Sequence, residues 1–479
     1  MLRILALSLM SFTMNACASA PAKPVEEPFA FTANGGETVD AFKGSIMVPE
    51  NRNDPKSRMI PLAYVRFPAA DGANGSPIVY LAGGPGGSGI ETAKGRRFPL
   101  FMAMREFGDV IALDQRGTGA SKDAPRCASS IKSPDDRAVT DEEYAALHRA
   151  AAEECAKQWR DAGVDAAGYT TVESADDIDA LRAALGAKQV TLWGISYGTH
   201  LAMAAVKRMD GRIDRMVLAS AEGLNQTVKL PAETDAYFAR LQAAVDGDPK
   251  AKAMFPDIKA MMRRVHDKLE AEPVMLQLPA KDGAQPFLLT RRVMQQAASA
   301  LIADPESAAM LLQLYMAADY GVYEPIAGAL SRYVTPNELI GFNVMPLAMD
   351  VASGISDERL ALVEEQAKTS LLGDWLNFPM PQLKGALDGL DLGDDFRENP
   401  SSRVPTLLFS GTLDGRTYPD SQREALSGMK NLTVVTVVNA GHNLYMSSPE
   451  VTETIQAFMR GEKVTKTEIT VPLPPFARD

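Results

Sequence analysis

A short apolar run, Val190-Thr191-Leu192-Trp193, breaks at Gly194, presents Ser196, passes Gly198 and continues as a helical stretch through Thr199 and His200. No other feature limits the possible folds as tightly. A strand that turns directly into a helix around one serine needs glycine on both sides, because a Cβ at either flanking position would strike the neighbouring turn. A serine hydroxyl is also a poor nucleophile at neutral pH. It has to be held where a base can reach its proton and a carbonyl can approach it. Glycine and serine mark ordinary loops too, so the chemical reading rests on the strand before and the helix after.

A partner acid and base follow late in the chain. Thr406-Leu407-Leu408-Phe409 is a buried-type strand ending in Ser410-Gly411-Thr412-Leu413-Asp414-Gly415, and Thr433 to Val438 is another, ending at Asn439-Ala440-Gly441-His442. Serine, then acid, then histidine is the chain order expected when the nucleophile sits on a strand-to-helix elbow. The chain has 4 histidines. His148 and His266 lie in polar helical stretches, and His200 sits one turn beyond Ser196, where its side chain points into packing. His442 alone ends a strand in a glycine-flanked loop. Asp414 has a plainer alternative, since Asp-Gly favours turns. Its place ahead of the histidine selects the catalytic reading.

Upstream, Pro77-Ile78-Val79-Tyr80-Leu81 runs into Ala82-Gly83-Gly84-Pro85-Gly86-Gly87-Ser88-Gly89. No lysine follows as in a phosphate-cradling loop. Glycines directly after a strand fit a backbone that must touch a reacting oxygen, and the N–H groups of Gly84 and Tyr197 are the expected oxyanion donors.

Around these motifs the chain alternates strands and glycine-rich turns, the pattern of a parallel sheet. Phe42 to Val48 and Met59 to Phe67 read as a hairpin at a sheet edge. Val110 to Leu113 closes with Asp114-Gln115-Arg116-Gly117-Thr118-Gly119, and Cys127 to Asp165 is a polar helical excursion. Ser174-Ala175-Asp176-Asp177 opens a helix with a capping-box arrangement that Gly186 ends, and Met216 to Ala219 is the next strand. From 225 to 395 the pattern is helical with no β run, which reads as an inserted cap. Its many methionines suit either a binding cavity or, more commonly, ordinary packing. A helix over Pro449 to Met459 and a strand-like tail over Thr467 to Val471 complete the chain.

Gly84-Pro85-Gly86-Gly87-Ser88-Gly89, Asp114-Gln115-Arg116-Gly117-Thr118-Gly119, Gly194-Ile195-Ser196-Tyr197-Gly198-Thr199, Gly411-Thr412-Leu413-Asp414 and Gly441-His442, in that order, resemble the proline iminopeptidase and tripeptidyl aminopeptidase family of α/β-hydrolases. The resemblance implies an α/β-hydrolase fold, a mostly parallel central sheet with an inserted helical cap, and cleavage of residues or tripeptides from peptide N-termini. It also implies acidic anchors for the substrate amine. Ala82 stands where proline iminopeptidases have histidine, which is more similar to the tripeptidyl branch.

The N-terminus reads as an export signal: Arg3, an apolar core from Ile4 to Met14, then Asn15-Ala16-Cys17-Ala18-Ser19-Ala20. Cys17 lies where a bacterial lipoprotein is lipidated, and both lipidation there and plain cleavage near Ala18 or Ala20 stay open. The expected boundaries are a signal peptide over 1–20, a Pro/Glu/Lys linker over 21–35, core over 36–224, cap over 225–395 and core again over 396–479. The expected location is the periplasm, or the cell envelope through a lipid anchor, which is the only membrane association implied. Cys127 and Cys155 form an even pair in an exported chain and are expected to be bonded, with two buried thiols as the alternative.

A formal net charge of −12 with no Lys/Arg block disfavours nucleic acid as a partner. Neither a His/Cys cluster nor a dinucleotide fingerprint occurs, so no metal or cofactor is expected. The expected activity is therefore that of a serine hydrolase on a peptide or small ester. Ser196 is the nucleophile, His442 the base and Asp414 its orienting acid. An esterase or lactonase would use the same three residues, and a non-catalytic envelope lipoprotein is the remaining class. For an aminopeptidase, Glu222, just after the strand Met216 to Ala219, is the first candidate to hold the substrate ammonium, with Asp350 in the cap as helper; a helix-capping or solvated Glu222 is the alternative.

Overall fold

The computed structural model describes residues 24–279 and 283–477. The export signal and Cys17 lie outside the described residues. The strands in chain order are β1 (Val25–Thr32), β2 (Thr38–Pro49), β3 (Met59–Phe67), β4 (Ile78–Leu81), β5 (Val110–Leu113), β6 (Cys127–Lys132) and β7 (Val190–Ile195). They continue as β8 (Ile213–Ala219), β9 (Val274–Leu278), β10 (Gln285–Leu289), β11 (Leu339–Phe342), β12 (Thr406–Gly411), β13 (Leu432–Val438) and β14 (Glu468–Thr470).

Ten of them form one sheet in the order β1-β2-β3-β5-β4-β7-β8-β12-β13-β14. β1, β2 and β3 pair antiparallel, and β3 meets β5 antiparallel. From β5 onward every pairing is parallel, so the expected mostly parallel sheet is present. Parallel strands need crossovers, and the intervening helices cover both faces. The strand side chains alternate accordingly. Val79, Leu81, Leu192 and Leu408 pack on one face with the helices Thr171–Ala184 and Tyr197–Met209. Ile78, Tyr80, Trp193 and Phe409 pack on the other with the helices Phe98–Met104 and Pro449–Met459.

Three expectations need correction. Of the linker expected over 21–35, residues 21–23 lie outside the described residues and Val25–Thr32 is strand: the sequence there lacks alternation, but pairing with β2 along its whole length, burial of Phe31 and the Glu26–Arg66 ion pair hold it at the sheet edge. The helix expected from Ser174 begins three residues earlier, with Thr170 as its N-cap accepting from the Glu173 N–H. The inserted region is not purely helical. The hairpin β9–β10 lies within it, and β11 pairs antiparallel with β6 of the excursion after β5.

The chain leaves the sheet after β8 and returns at β12, so the cap stands over the C-terminal ends of the parallel strands, where loops of such sheets collect. Its helices Pro231–Asp246, Ile258–Ala271, Arg291–Leu301 and Pro305–Asp319 share an apolar core of their own. Cys127 and Cys155 are joined by a disulfide across 28 residues, tying β6 to the helix Asp141–Asp161. Among the described residues no helix is long and apolar enough to cross a membrane.

Candidate active site

Ser196 follows a fully buried strand and takes φ 55° and ψ −129°, a left-handed conformation unusual for a residue with a side chain. Its N–H donates to Ala219 O at 3.1 Å, fastening the elbow to β8. The flanking glycines are there for space. A Cβ on Gly194 would lie 2.7 Å from Gly198 O, and one on Gly198 would lie 2.0 Å from Leu81 O. The buried Tyr445 hydroxyl donates to Gly194 O at 2.6 Å and secures the strand end.

Asp414 and His442 meet at the ends of β12 and β13. His442 Nδ1 lies 3.1 and 3.0 Å from the two Asp414 oxygens. The carboxylate is fully buried and receives the N–H groups of Arg416 and Thr417 at 2.8 and 2.9 Å and the Thr417 hydroxyl at 2.8 Å. Burial alone would raise its pKa. The charge and hydrogen bond of His442, with the two backbone donors, outweigh burial and hold it below the ordinary aspartate range. A carboxylate kept ionised here accepts the Nδ1 proton, which leaves Nε2 as the acceptor nitrogen of neutral His442. The cap grips the histidine loop directly: His442 N donates to Ala303 O at 2.8 Å, and Asn443 donates to both Asp304 oxygens at 3.0 and 2.6 Å.

The glycine loop lies against the serine. A Cβ on Gly83 would stand 3.1 Å from Ser196 Cβ, and Gly84 takes φ +129° before a cis Pro85. Among the described residues, neither the Gly84 nor the Tyr197 N–H donates to another protein group. The Asp114 motif serves as the loop's staple. Its carboxylate accepts from Ser88 Oγ at 2.6 Å, Ile90 N at 3.1 Å and Ala120 N at 2.7 Å. The buried Arg116 pairs with Asp177 and donates to Glu50 O and Gly168 O, joining the sheet edge to the helix Thr171–Ala184.

Ser196, His442, Gly83 and Gly84 line one cavity of about 740 Å³, and Glu222 and Asp350 line it too. Glu222 is neither solvated nor a helix cap. Its carboxylate is mostly buried and pairs with Lys229 Nζ at 2.5 Å. Burial pushes Glu222 up, but the charges of Lys229 and His200 overcome it and leave the carboxyl below its ordinary range. Asp350 has no such partner among the described residues: burial and the nearby Glu222 charge push it up to about 7, against the pull of Lys229. His200 is buried, with its ring nitrogens near Gly223 O and Ser353 Oγ, and stands in packing as its place on the helix suggested.

Lys229, Arg97 and Arg416 also line the cavity and escaped the sequence reading. Lys229 alone left a signal there, as a cation seven residues beyond the acid it neutralises. Among the described residues no group of histidine, cysteine and acidic side chains is arranged to hold a metal ion.

Comparison with known proteins adds to this geometry. A family model described as alpha/beta hydrolase fold matches residues 77–297, and one described as TAP-like protein matches residues 394–470; together they span more than half of the chain. Serine protease Hip1 of Mycobacterium tuberculosis is 35% identical over 187 residues, 38% of this chain and 36% of that protein. Tripeptidyl aminopeptidase of Streptomyces coelicolor is 29% identical over 196 residues, 37% of this chain and 34% of that protein. The matched stretch is thus about a third of each relative's length.

Proposed function

From a chain that belongs to the α/β-hydrolases and carries a TAP-like segment near its end, we propose an exported serine aminopeptidase that releases single residues or tripeptides from peptide N-termini through an acyl-enzyme. One observation carries the proposal: Ser196 at the elbow, His442 backed by the buried Asp414, and the two acids Glu222 and Asp350 meet at one cavity, which Ser196, His442 and both acids line. Ser196 Oγ attacks the scissile carbonyl while His442 Nε2 takes its proton, and Asp414 steadies the imidazolium that forms. The oxyanion develops against the Gly84 and Tyr197 N–H groups, which have no competing acceptor among the described residues. His442 then returns the proton to the leaving amine, and water releases the acyl group by the reverse steps.

The substrate ammonium lies against Asp350 and Glu222; Glu222 is paired with Lys229, and Asp350, once ionised, supplies a second carboxylate beside it. The similarity to a tripeptidyl aminopeptidase supports this choice over an esterase. Export is supported by the Cys127–Cys155 disulfide, a bond that persists in oxidising compartments, and by the apolar N-terminal segment.

Turnover of aminoacyl, tripeptidyl and acyl-ester chromogenic substrates tests the reading, with Glu222→Gln beside the parent. The variant leaves Lys229 without its counter-charge near the ammonium. It is expected to lose about 1.5–3 kcal/mol in kcat/KM on free-amine peptides, the scale of a charge-assisted hydrogen bond, and little on an uncharged ester. Equal losses on both substrates, or none, would return the weight to a carboxylesterase.

A further inference from the structure

Beside the catalytic cavity lies a second one of about 590 Å³, bounded by the cap and by the excursion that follows β5. Four residues, Gln296, Ala300, Phe378 and Pro379, line both. Gln296 and Ala300 are one turn apart on the helix Arg291–Leu301 and so share a face. Phe378 is held by the rings of His148, Trp375 and Tyr144, with centroids 4.8, 5.2 and 5.3 Å away. Where Ala300 stands the partition has only a methyl group.

The two chambers differ in chemistry. Charged side chains of both signs line the one around Ser196. The other is walled by Met294, Leu311, Leu314, Ile326 and Leu330, and its charged residues Arg126, Arg137 and Glu338 accompany Tyr333 and Leu339, which are 77% and 39% exposed. Two more charged residues line it and are partnered within the protein: Arg292 pairs with Asp141 at 2.8 Å, and Asp135 accepts from Ser133 Oγ and Asn337 N. An apolar space of this size, within the usual range of ligand pockets, is served best by apolar groups, since a polar group placed there would lose its hydrogen bonds with water.

We propose that this chamber receives the large apolar side chains of the peptide whose scissile carbonyl sits at Ser196, making the enzyme selective for apolar N-terminal sequences. The inference rests on Ser196 as nucleophile and names the substrate class for that site. The occupant follows from continuity: a chamber that shares four wall residues with the reacting cavity is within reach of side chains on the same substrate.

The test uses the full chain and Ala297→Phe, which fills the apolar chamber from a position that does not line the catalytic cavity. Chromogenic peptides differing only in phenylalanine or alanine beside the scissile bond give a selectivity ratio in kcat/KM. That ratio is expected to favour phenylalanine at least tenfold in the parent and to fall at least tenfold in Ala297→Phe. Ala329→Phe, which narrows the chamber from the helix Glu324–Leu330, is expected to reproduce the fall should the first variant fold poorly.

Binding of the uncharged fluorescent probe N-phenyl-1-naphthylamine, and its displacement by the phenylalanine peptide, are read on Ser196→Ala. This arm needs no turnover. A ratio within twofold of the parent in both folded variants, or a probe the peptide does not displace, overturns the proposal. Undiminished turnover by Ser196→Ala would instead overturn the nucleophile and leave the probe measurement to decide the chamber.

Discussion

Ser196, Asp414 and His442 were legible because each lies in a local signal: a glycine-flanked elbow, an acid after a strand, a histidine after the next. Their replacement has a definite expectation. Ser196→Ala and His442→Ala should each lower kcat by about 10⁴–10⁶, with little further loss when combined, because members of such a unit act together. Single-turnover assays on folded variants check this, and activity within tenfold of the parent would contradict it. Gly198→Ala would drive a methyl group to within 2.0 Å of Leu81 O, and about 3 kcal/mol or more of stability should be lost, measurable by denaturant unfolding. Asp350 was nominated only as a cap acid, and its raised proton affinity comes from burial in the fold and from Glu222, which is distant in sequence. Between about pH 4 and pH 7 the folded chain keeps a proton there that an unfolded chain releases, so Asp350 subtracts stability as pH rises through that window. Asp350→Asn should therefore melt a few degrees above the parent at pH 8 and beside it at pH 4, as calorimetry would show.

Among the elements, those with a strong period or a sharp stop were read correctly to within a few residues, as the helix Pro449–Met459 and the strands on either side of Ser196 illustrate. What escaped were strands whose existence depends on a partner. β1 exposes most of its side chains and carries Pro28, which an edge strand tolerates. β11 is four residues long and is a strand through its pairing with β6, some two hundred residues earlier. The disulfide acts on that ribbon. Closing 28 residues is worth about 3–4 kcal/mol in the chain-entropy account, so Cys127→Ser with Cys155→Ser should lower the unfolding free energy by that amount. Exchange protection of the β6 and β11 amides should fall as well; unchanged protection there would show that the ribbon holds itself.

At the scale of the whole molecule, the cap is fastened to the rest of the chain at two separate places. At one, β11 pairs with β6, next to the disulfide; at the other, Ala303 and Asp304 hold the loop that carries His442. For the proposed aminopeptidase, a cap fastened at these two places is expected to keep the entrance to Ser196 narrow, so that a chain end enters and a folded surface does not. A compact protein whose amino terminus is tucked into its own core should emerge from overnight incubation with its intact mass unchanged. The same protein, reduced and alkylated so that its end hangs free, should be shortened from that end, and mass spectrometry of the two samples would show whether width of entry decides what is cut.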